Sequence, residues 1–522
     1  MFSAFDAAKD IRPTPRQQPS AMPALPMFAT EVCAKVRAMA RCDSVYRVPY
    51  QDLQRLGLEA RLKKELTVTP TPKIYRGKNG NPPFPIYAIK NDVFIMPREF
   101  GLRVFGVPDT VNIPDGDTHA CEPILGLRGQ DYAGCNQIEA VDKIIATMME
   151  QYNDHGTGGA ILALPPGAGK TACAAHIFCR LGGAMLFVTP SVGLMDQVAD
   201  DFRKFLGPDF PIGKYHTKEK RNWKLIDTAL IVVAVGDSVS MRQPAFFRRF
   251  RVVCYDEMHE YVTAKRCRMF FTVPAPFKLG LSATPHRPNK SHEWLDHLIG
   301  PIAVLERRAL STMSWGKADV VVVRIHHKVP IVEAAYKDGD FNCHETLDRM
   351  LAREGRHSHM LADVARCVAQ GRRILCLGKR VAYMERFQAD LMARHGIDAG
   401  LIVGTRTDGT TPTDAERRKA REKRVLIMTS QIGYRALNIP ELDTIEVLDY
   451  ATTTELFWRQ CGGRITRDCA TKQMPMIRIP ADTMVATGGG GTSHFAQYAR
   501  AASNRLVKID ENYHVRYEDV EV

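Results

Sequence analysis

The feature that most constrains the fold of this chain is a recurrence of short apolar, β-branched runs separated by helix-length stretches. The runs fall at 160–164, 184–188, 230–235, 252–255 and 278–281, then resume at 320–325, 373–377, 400–403, 425–428, 444–448 and 476–479. Near-continuous apolar strands separated by helices build parallel sheets covered on both faces. Eleven such strands exceed one small sheet. The reading is therefore an α/β protein with two tandem parallel-sheet domains, dividing near 305–320. At 522 residues the chain also exceeds what one hydrophobic core supports.

The flanks have a different texture. Residues 1–120 read as an accessory α+β domain: "QDLQRLGLEARLKKELTVTP" is a helix running into a strand, and "FPIYAIKNDVFIMPREFGLRVFG" alternates around turn signals. The first sheet domain is placed at 121–308 and the second at 309–482, with "YKDGDFNCHETLDRMLAREGRHSH" as an insertion near its start. Gly488 to Gly491 mark a flexible loop, and 483–522 reads as a C-terminal extension or hairpin.

Composition excludes several classes. No apolar run approaches the roughly 18 residues that span a bilayer, and the proline-rich start does not read as a secretory signal. The 13 cysteines form no C-x-x-C pair, which argues against zinc and against a disulfide framework. Free thiols in a reducing compartment, cytoplasm or nucleus, are expected. With 71 Lys and Arg against 58 Asp and Glu, the net charge is +13. That balance suits a polyanionic partner, nucleic acid first, though evenly spread charge would serve solubility alone.

Chemistry concentrates in four places. "ALPPGAGKTACAA", 163–175, is a strand that stops at a tight loop and turns into a helix. The loop Pro166-Gly167-Ala168-Gly169 would let backbone N–H groups converge at the positive end of that helix, an anion site. Lys170 would reach the β- and γ-phosphates and the Thr171 hydroxyl would hold Mg²⁺. The strict P-loop pattern wants glycine at 164, where this chain has leucine. Second, Asp256 and Glu257 directly follow an apolar strand, at the edge where open α/β sheets bind ligands. Asp256 suits Mg²⁺, and Glu257 suits deprotonation of an attacking water. His259 lies two residues on. Third, Ser282 and Thr284 follow another strand; they either cap a turn or bond to the acidic loop. Fourth, Gln460, Arg464 and Arg467 share one helix face, which reads either as a solvated basic face or as fingers for phosphate.

PPGAGKT, DEMH, SAT and QCGGRITR, in that order, resemble motifs I, II, III and VI of the superfamily 2 helicases and translocases. The resemblance covers about 125–480. It implies two RecA-like domains that use ATP and Mg²⁺, with nucleic acid as the partner. It further implies that Gln137 reads adenine, with Gln130 as competitor, and that Thr189 and Pro190 lie near the phosphodiester backbone. Gly236, Gly378 and Thr429 fall in counterparts of motifs Ib, IV and V. His259, Ser282 and Thr284 would couple ATP to the strand, and Arg464 and Arg467 would stabilise transition-state charge. One departure stands out: the glycine-x-aspartate of motif V appears as Ala436 and Asn438. "VFIMPREFGLRVFGVP" resembles the lead-in of helicases from poxviruses and other large nucleocytoplasmic DNA viruses.

The expected function is thus an ATP-dependent helicase or translocase, on DNA rather than RNA, in viral transcription or DNA processing. Transcription or replication proteins are expected partners, and a virus particle is an alternative location. The competing readings are an RNA helicase with the same core, a P-loop kinase or GTPase, and a non-catalytic nucleic-acid-binding scaffold. The kinase reading leaves Gln460, Arg464, Arg467 and the second α/β domain without a role.

Overall fold

The computed structural model describes residues 27–69, 82–129, 136–165, 168–216, 223–283, 294–305, 318–326, 336–337, 340–341, 343–430, 439–450, 457–458, 461–462, 465, 469, 472–483, 494–509 and 513–522. The chain divides into two units, Met1–Arg307 and Arg308–Val522.

In the first unit, β1 (Arg41–Cys42) and β2 (Val45–Pro49) run antiparallel, and β3 (Thr67–Val68) pairs with β4 (Phe84–Pro85) in a small ribbon. With β5 (Ala88–Lys90), β6 (Val93–Pro97) and β7 (Thr110–Val111), the first two strands form a sheet ordered β5-β6-β2-β1-β7. The expected helix-into-strand segment is present as helices Tyr50–Arg55 and Glu59–Glu65 leading to β3.

The larger sheet of this unit comprises β8 (Gly158–Ala163), β9 (Ala184–Thr189), β10 (Ile212–Tyr215), β11 (Ile231–Val235), β12 (Phe250–Tyr255), β13 (Phe277–Ser282) and β14 (Ile302–Leu305). Its order is β10-β11-β9-β12-β13-β8-β14, and every pairing is parallel. Five of these strands coincide with the apolar runs of the sequence. The other two, β10 and β14, are the sheet's edges, where "IGKY" and "IAVL" are short and next to proline.

Because side chains alternate along a strand, β12 feeds two cores. Val252 and Cys254 join the core under the P-loop helix. Val253 and Tyr255 join a second core with Tyr46, Phe94, Phe100 and Phe105 of the N-terminal region. Residues 27–111 therefore share an apolar core with one face of the sheet. Lys278 points the same way from β13. Fully buried, it donates to Glu99 Oε2 at 2.8 Å and to the Phe270 and Leu298 carbonyls at 3.2 and 3.4 Å. Arg98 Nε donates to the other oxygen of Glu99 at 3.0 Å. The Pro-Arg-Glu of the lead-in segment is thus an ionic tie between the N-terminal region and the sheet.

The second unit holds β15 (Ala318–His326), a hairpin of β16 (Tyr336–Lys337) and β17 (Asp340–Phe341), then β18 (Ile374–Gly378), β19 (Gly400–Ile402), β20 (Val425–Thr429), β21 (Thr444–Val447), β22 (Met476–Thr483) and β23 (Tyr513–Glu521). Its main sheet is again all parallel, ordered β19-β20-β18-β21-β22-β15-β23. Two tandem RecA-like domains with a small N-terminal α+β region describe the chain.

Two sequence expectations are revised. The segment read as an insertion contains the hairpin, but helix Glu354–Ala369, which begins in it, is integral. Its buried Arg356 makes two bonds to Asp482 at 2.8 and 3.2 Å and caps the carbonyls of Leu448 and Asp449. The residues after 483 are not an appended hairpin. Helix His494–Ile509 buries Ala499, Ala502 and Leu506 in the sheet's core, and β23 pairs with β15 along its whole length. The alternation of "YHVRYEDVE" is polar enough to hide a strand that has one face exposed.

Candidate active site

The P-loop region begins where β8 ends. Leu164 N–H donates to Ser282 O at 3.1 Å, which ties this strand end to that of β13. Gly169 then adopts φ +83° and opens the 12-residue helix Lys170–Leu181. A side chain at 169 would be strained by that φ and would collide with the Gln137 amide. Lys170 Nζ lies 3.5 Å from Leu164 O, and Thr171 is half-buried. The free amides at this helix start favour an anion.

Gln137 lies against the same loop. Asn136 caps the helix Gln137–His155 by accepting from Glu139 N–H. Buried Gln137 donates to Ala168 O at 2.8 Å and accepts from Arg128 N–H at 3.0 Å. Gln130, its competitor, lies outside the described residues, as do Pro166 and Gly167 of the loop.

The acidic loop follows β12, two strands from β8 with β13 between them. Asp256 N–H donates to Val188 O at 2.9 Å. The carboxyl is ringed by protein; burial first and the Glu257 charge second push it up to about 7, with Lys170 opposing. Glu257 sits at φ +47°, ψ 44°, a left-handed backbone that costs a non-glycine residue of order 1–3 kcal/mol. Its Oε2 makes no hydrogen bond; His259 Nδ1 is 3.5 Å away. The same His259 nitrogen is 2.7 Å from Ser282 Oγ, and both residues are buried. Of the two readings of Ser282, the bond to the acidic loop is the one present.

These residues fit a divalent cation. The Glu257 charge raises the proton affinity of the adjacent Asp256, and Glu257 keeps an oxygen without a donor. Carboxylate and hydroxyl oxygens are the donors that Mg²⁺ takes.

The remaining predicted residues distribute unevenly. Thr189 and Pro190 are buried, and the Thr189 hydroxyl has no hydrogen-bond partner. Gly236 is packed so closely that a Cβ would come within 2.9 Å of Met269 Sδ and 3.0 Å of Tyr261, a packing reason for glycine. In the second unit, Gly378 and Thr429 end β18 and β20. Thr284, Ala436, Asn438, Gln460, Arg464 and Arg467 lie outside the described residues.

Sequence reasoning missed a polar cluster at the end of the second sheet. Asp449, just past β21, accepts from the Lys379 backbone N–H, while Lys379 Nζ donates to Tyr450 O at 3.0 Å. Burial raises the Asp449 carboxyl's pKa. An acid directly after an apolar strand, here "EVLDY", is the signal that exposed Asp256 and would have exposed this one.

Comparison with known proteins follows the same lines. A family model described as the Type III restriction enzyme res subunit matches residues 135–287. A protein of Acanthamoeba polyphaga mimivirus, provisionally named an ATP-dependent RNA helicase, is 22% identical over 440 residues, covering 80% of this chain and 76% of that protein. The DNA 3'-5' translocase XPB2 of Sulfurisphaera tokodaii is 32% identical over 142 residues, 27% of this chain and 30% of that protein. An African swine fever virus protein, also provisionally named an ATP-dependent RNA helicase, is 28% identical over 166 residues, 31% of each chain. The chain thus spans under a third of the last two relatives. With its parallel sheets and its Asp-Glu-Met-His loop beside a P-loop, the chain is similar to the superfamily 2 helicases and translocases, helicases of large DNA viruses among them.

Proposed function

We propose that this chain is a nucleic-acid-stimulated ATPase that moves along DNA. The observation that supports this most directly is Glu257, held in a left-handed backbone directly after Asp256 and within reach of the His259–Ser282 bond. Strain at a carboxylate beside a phosphate-binding loop is expected of a group aimed at a reacting atom rather than at a stable partner.

In this reading the backbone N–H groups of residues 167–169 and the Lys170 side chain bind the triphosphate. Thr171 and Asp256 would hold Mg²⁺, which supplies charge neutralisation when bound. Glu257 orients the attacking water and accepts its proton. Gln137 reads the adenine by exchanging its present bond to Ala168 O for one to the base. His259 and Ser282 carry the state of the acidic loop to β13. The resemblance assigns Gln460, Arg464 and Arg467 to the developing charge on the γ-phosphate. Contacts to the strand would be mainly to phosphates, and so independent of sequence and weakened by salt.

The DNA track rests on the translocase relative, which has the higher identity. The names of the two viral relatives favour RNA as the second reading. Viral transcription or DNA processing is the proposed setting, with transcription or replication proteins as partners in the cytoplasm, nucleus or particle.

The test is ATP hydrolysis by purified protein without polymer and with single-stranded DNA, duplex DNA or RNA, beside Glu257→Gln. Stimulation by DNA, lost in the variant, supports the proposal. Stimulation by RNA alone selects the second reading. Absence of hydrolysis with retained nucleic-acid binding would mean a scaffold.

A further inference from the structure

Residues 112–128 form a strap that leaves the N-terminal sheet and crosses the first unit to reach Gln137. It has no regular structure, yet it is pinned at intervals. Asn112 N–H donates to Cys42 O at 2.8 Å, Asp117 N–H to Arg249 O at 2.7 Å and Ile124 N–H to Phe205 O at 2.7 Å. From the other side, Gly183 N–H donates to His119 O at 2.9 Å. His176, on the P-loop helix, is 2.9 Å from Leu125 O through its Nε2. Gln137 N–H closes the strap on Arg128 O at 3.1 Å.

Midway along the strap, between two of these pins, Cys121 meets Cys179 of the P-loop helix. Their sulfurs are 3.2 Å apart, nearer than ordinary sulfur–sulfur van der Waals contact. Both residues are half-buried against the same apolar core, so the pair is held in place but open to a small reagent. The contact polarises it: the hydrogen bond between the two thiols lowers the Cys121 pKa and raises that of Cys179. A disulfide would close this gap to about 2.05 Å.

We propose that Cys121 and Cys179 are a reversible thiol–disulfide pair, which a peroxide closes into a covalent staple between the strap and the P-loop helix. The Cys121 thiolate attacks one peroxide oxygen; the O–O bond breaks, and a sulfenic acid and hydroxide result. The Cys179 sulfur then attacks the Cys121 sulfur. The S–O bond breaks and the departing hydroxide takes the Cys179 proton as water. Two thiols are oxidised, one peroxide is reduced to two waters, and a dithiol reductant reverses the step by thiol–disulfide exchange. The staple fixes the segment that leads to Arg128, whose N–H holds Gln137 against the P-loop.

The test treats the full chain with hydrogen peroxide, counts thiols, maps peptides without reduction and records thermal unfolding. The expected result is two fewer titratable thiols, a linked peptide pair containing Cys121 and Cys179, and a raised Tm, all reversed by dithiothreitol. Cys121→Ser and Cys179→Ser each abolish the linked pair, and Cys179→Ala serves if serine disturbs the core. Linkage between other cysteines, thiol loss unchanged in these variants, or oxidation of Cys121 only to sulfinic acid would overturn the proposal. None of these readouts requires ATP turnover, so they stand apart from the motor reading.

Discussion

At Glu257, one residue carries both a backbone penalty and a chemical role. Its φ of +47° favours glycine or asparagine, yet the carboxylate is what a water-activating group needs. Replacing it separates the two. Glu257→Gln keeps the shape and is expected to lower kcat by about 10²–10⁴-fold while nucleotide still binds. Glu257→Gly is expected to abolish hydrolysis yet raise stability by about 1 kcal/mol, because the strain is relieved; ATP turnover and denaturant unfolding check the pair. Gly169→Ala should act oppositely. The added methyl meets the Gln137 amide at a φ of +83°, so nucleotide affinity falls, measurable with a fluorescent ATP analogue. Asp256 and Glu257 were legible in the sequence because they directly follow an apolar strand, and Lys170 and Thr171 because they follow a glycine-containing loop between such a strand and a helix. The left-handed turn at Glu257 was not, since nothing local in "YDEMHE" demands it. Thr189 was legible only by position in a motif: its hydroxyl is buried, and pattern matching reports no burial.

Elements bring these residues together. β8, β12 and β13 run parallel with β13 in the middle, so their three following loops share one edge. The His259–Ser282 bond joins two of those loops. Ser282→Ala is expected to leave basal ATP hydrolysis within a few-fold and to reduce its stimulation by polymer, seen as a split between the two rates. The ionic tie at the other face of β13 should be costly to break: Lys278→Met leaves Glu99 buried without its lysine and should cost the first unit about 3–5 kcal/mol. Burial lowers the Lys278 pKa to about 8 against the pull of Glu99. Between about 8 and the ordinary lysine value near 10.5, the unfolded chain holds a proton that the folded one has lost, so stability from this group rises with pH. Denaturant melts from pH 7 to 10 should therefore show the gap between wild type and Lys278→Met widening. The sequence revealed five strands of the first unit's parallel sheet and six of the second's, and hid β10, β14 and β23. Edge strands need less apolar surface than central ones, and period alone does not mark them.

For the whole molecule, the late strand β23 matters most. It lies beside β15 from Ala318↔Tyr513 to His326↔Glu521, and Glu518 on it pairs with Arg478 of β22 at 2.8 Å. Removing residues 511–522 should leave the first unit's unfolding transition intact and lower or abolish that of the second, with aggregation through the uncovered β15; differential scanning calorimetry of full-length and shortened chains separates the two. The pairing also sets an order of events in time. The first unit has all the strands among its described residues once residue 305 has been synthesised. The second cannot close its sheet until residue 521 is free of the ribosome, about 200 residues after β15 emerged. Through that interval β15, with its run of four valines, waits with an open edge. Contacts of such long sequence separation form slowly, so chaperone demand during synthesis should fall on the second half of this chain.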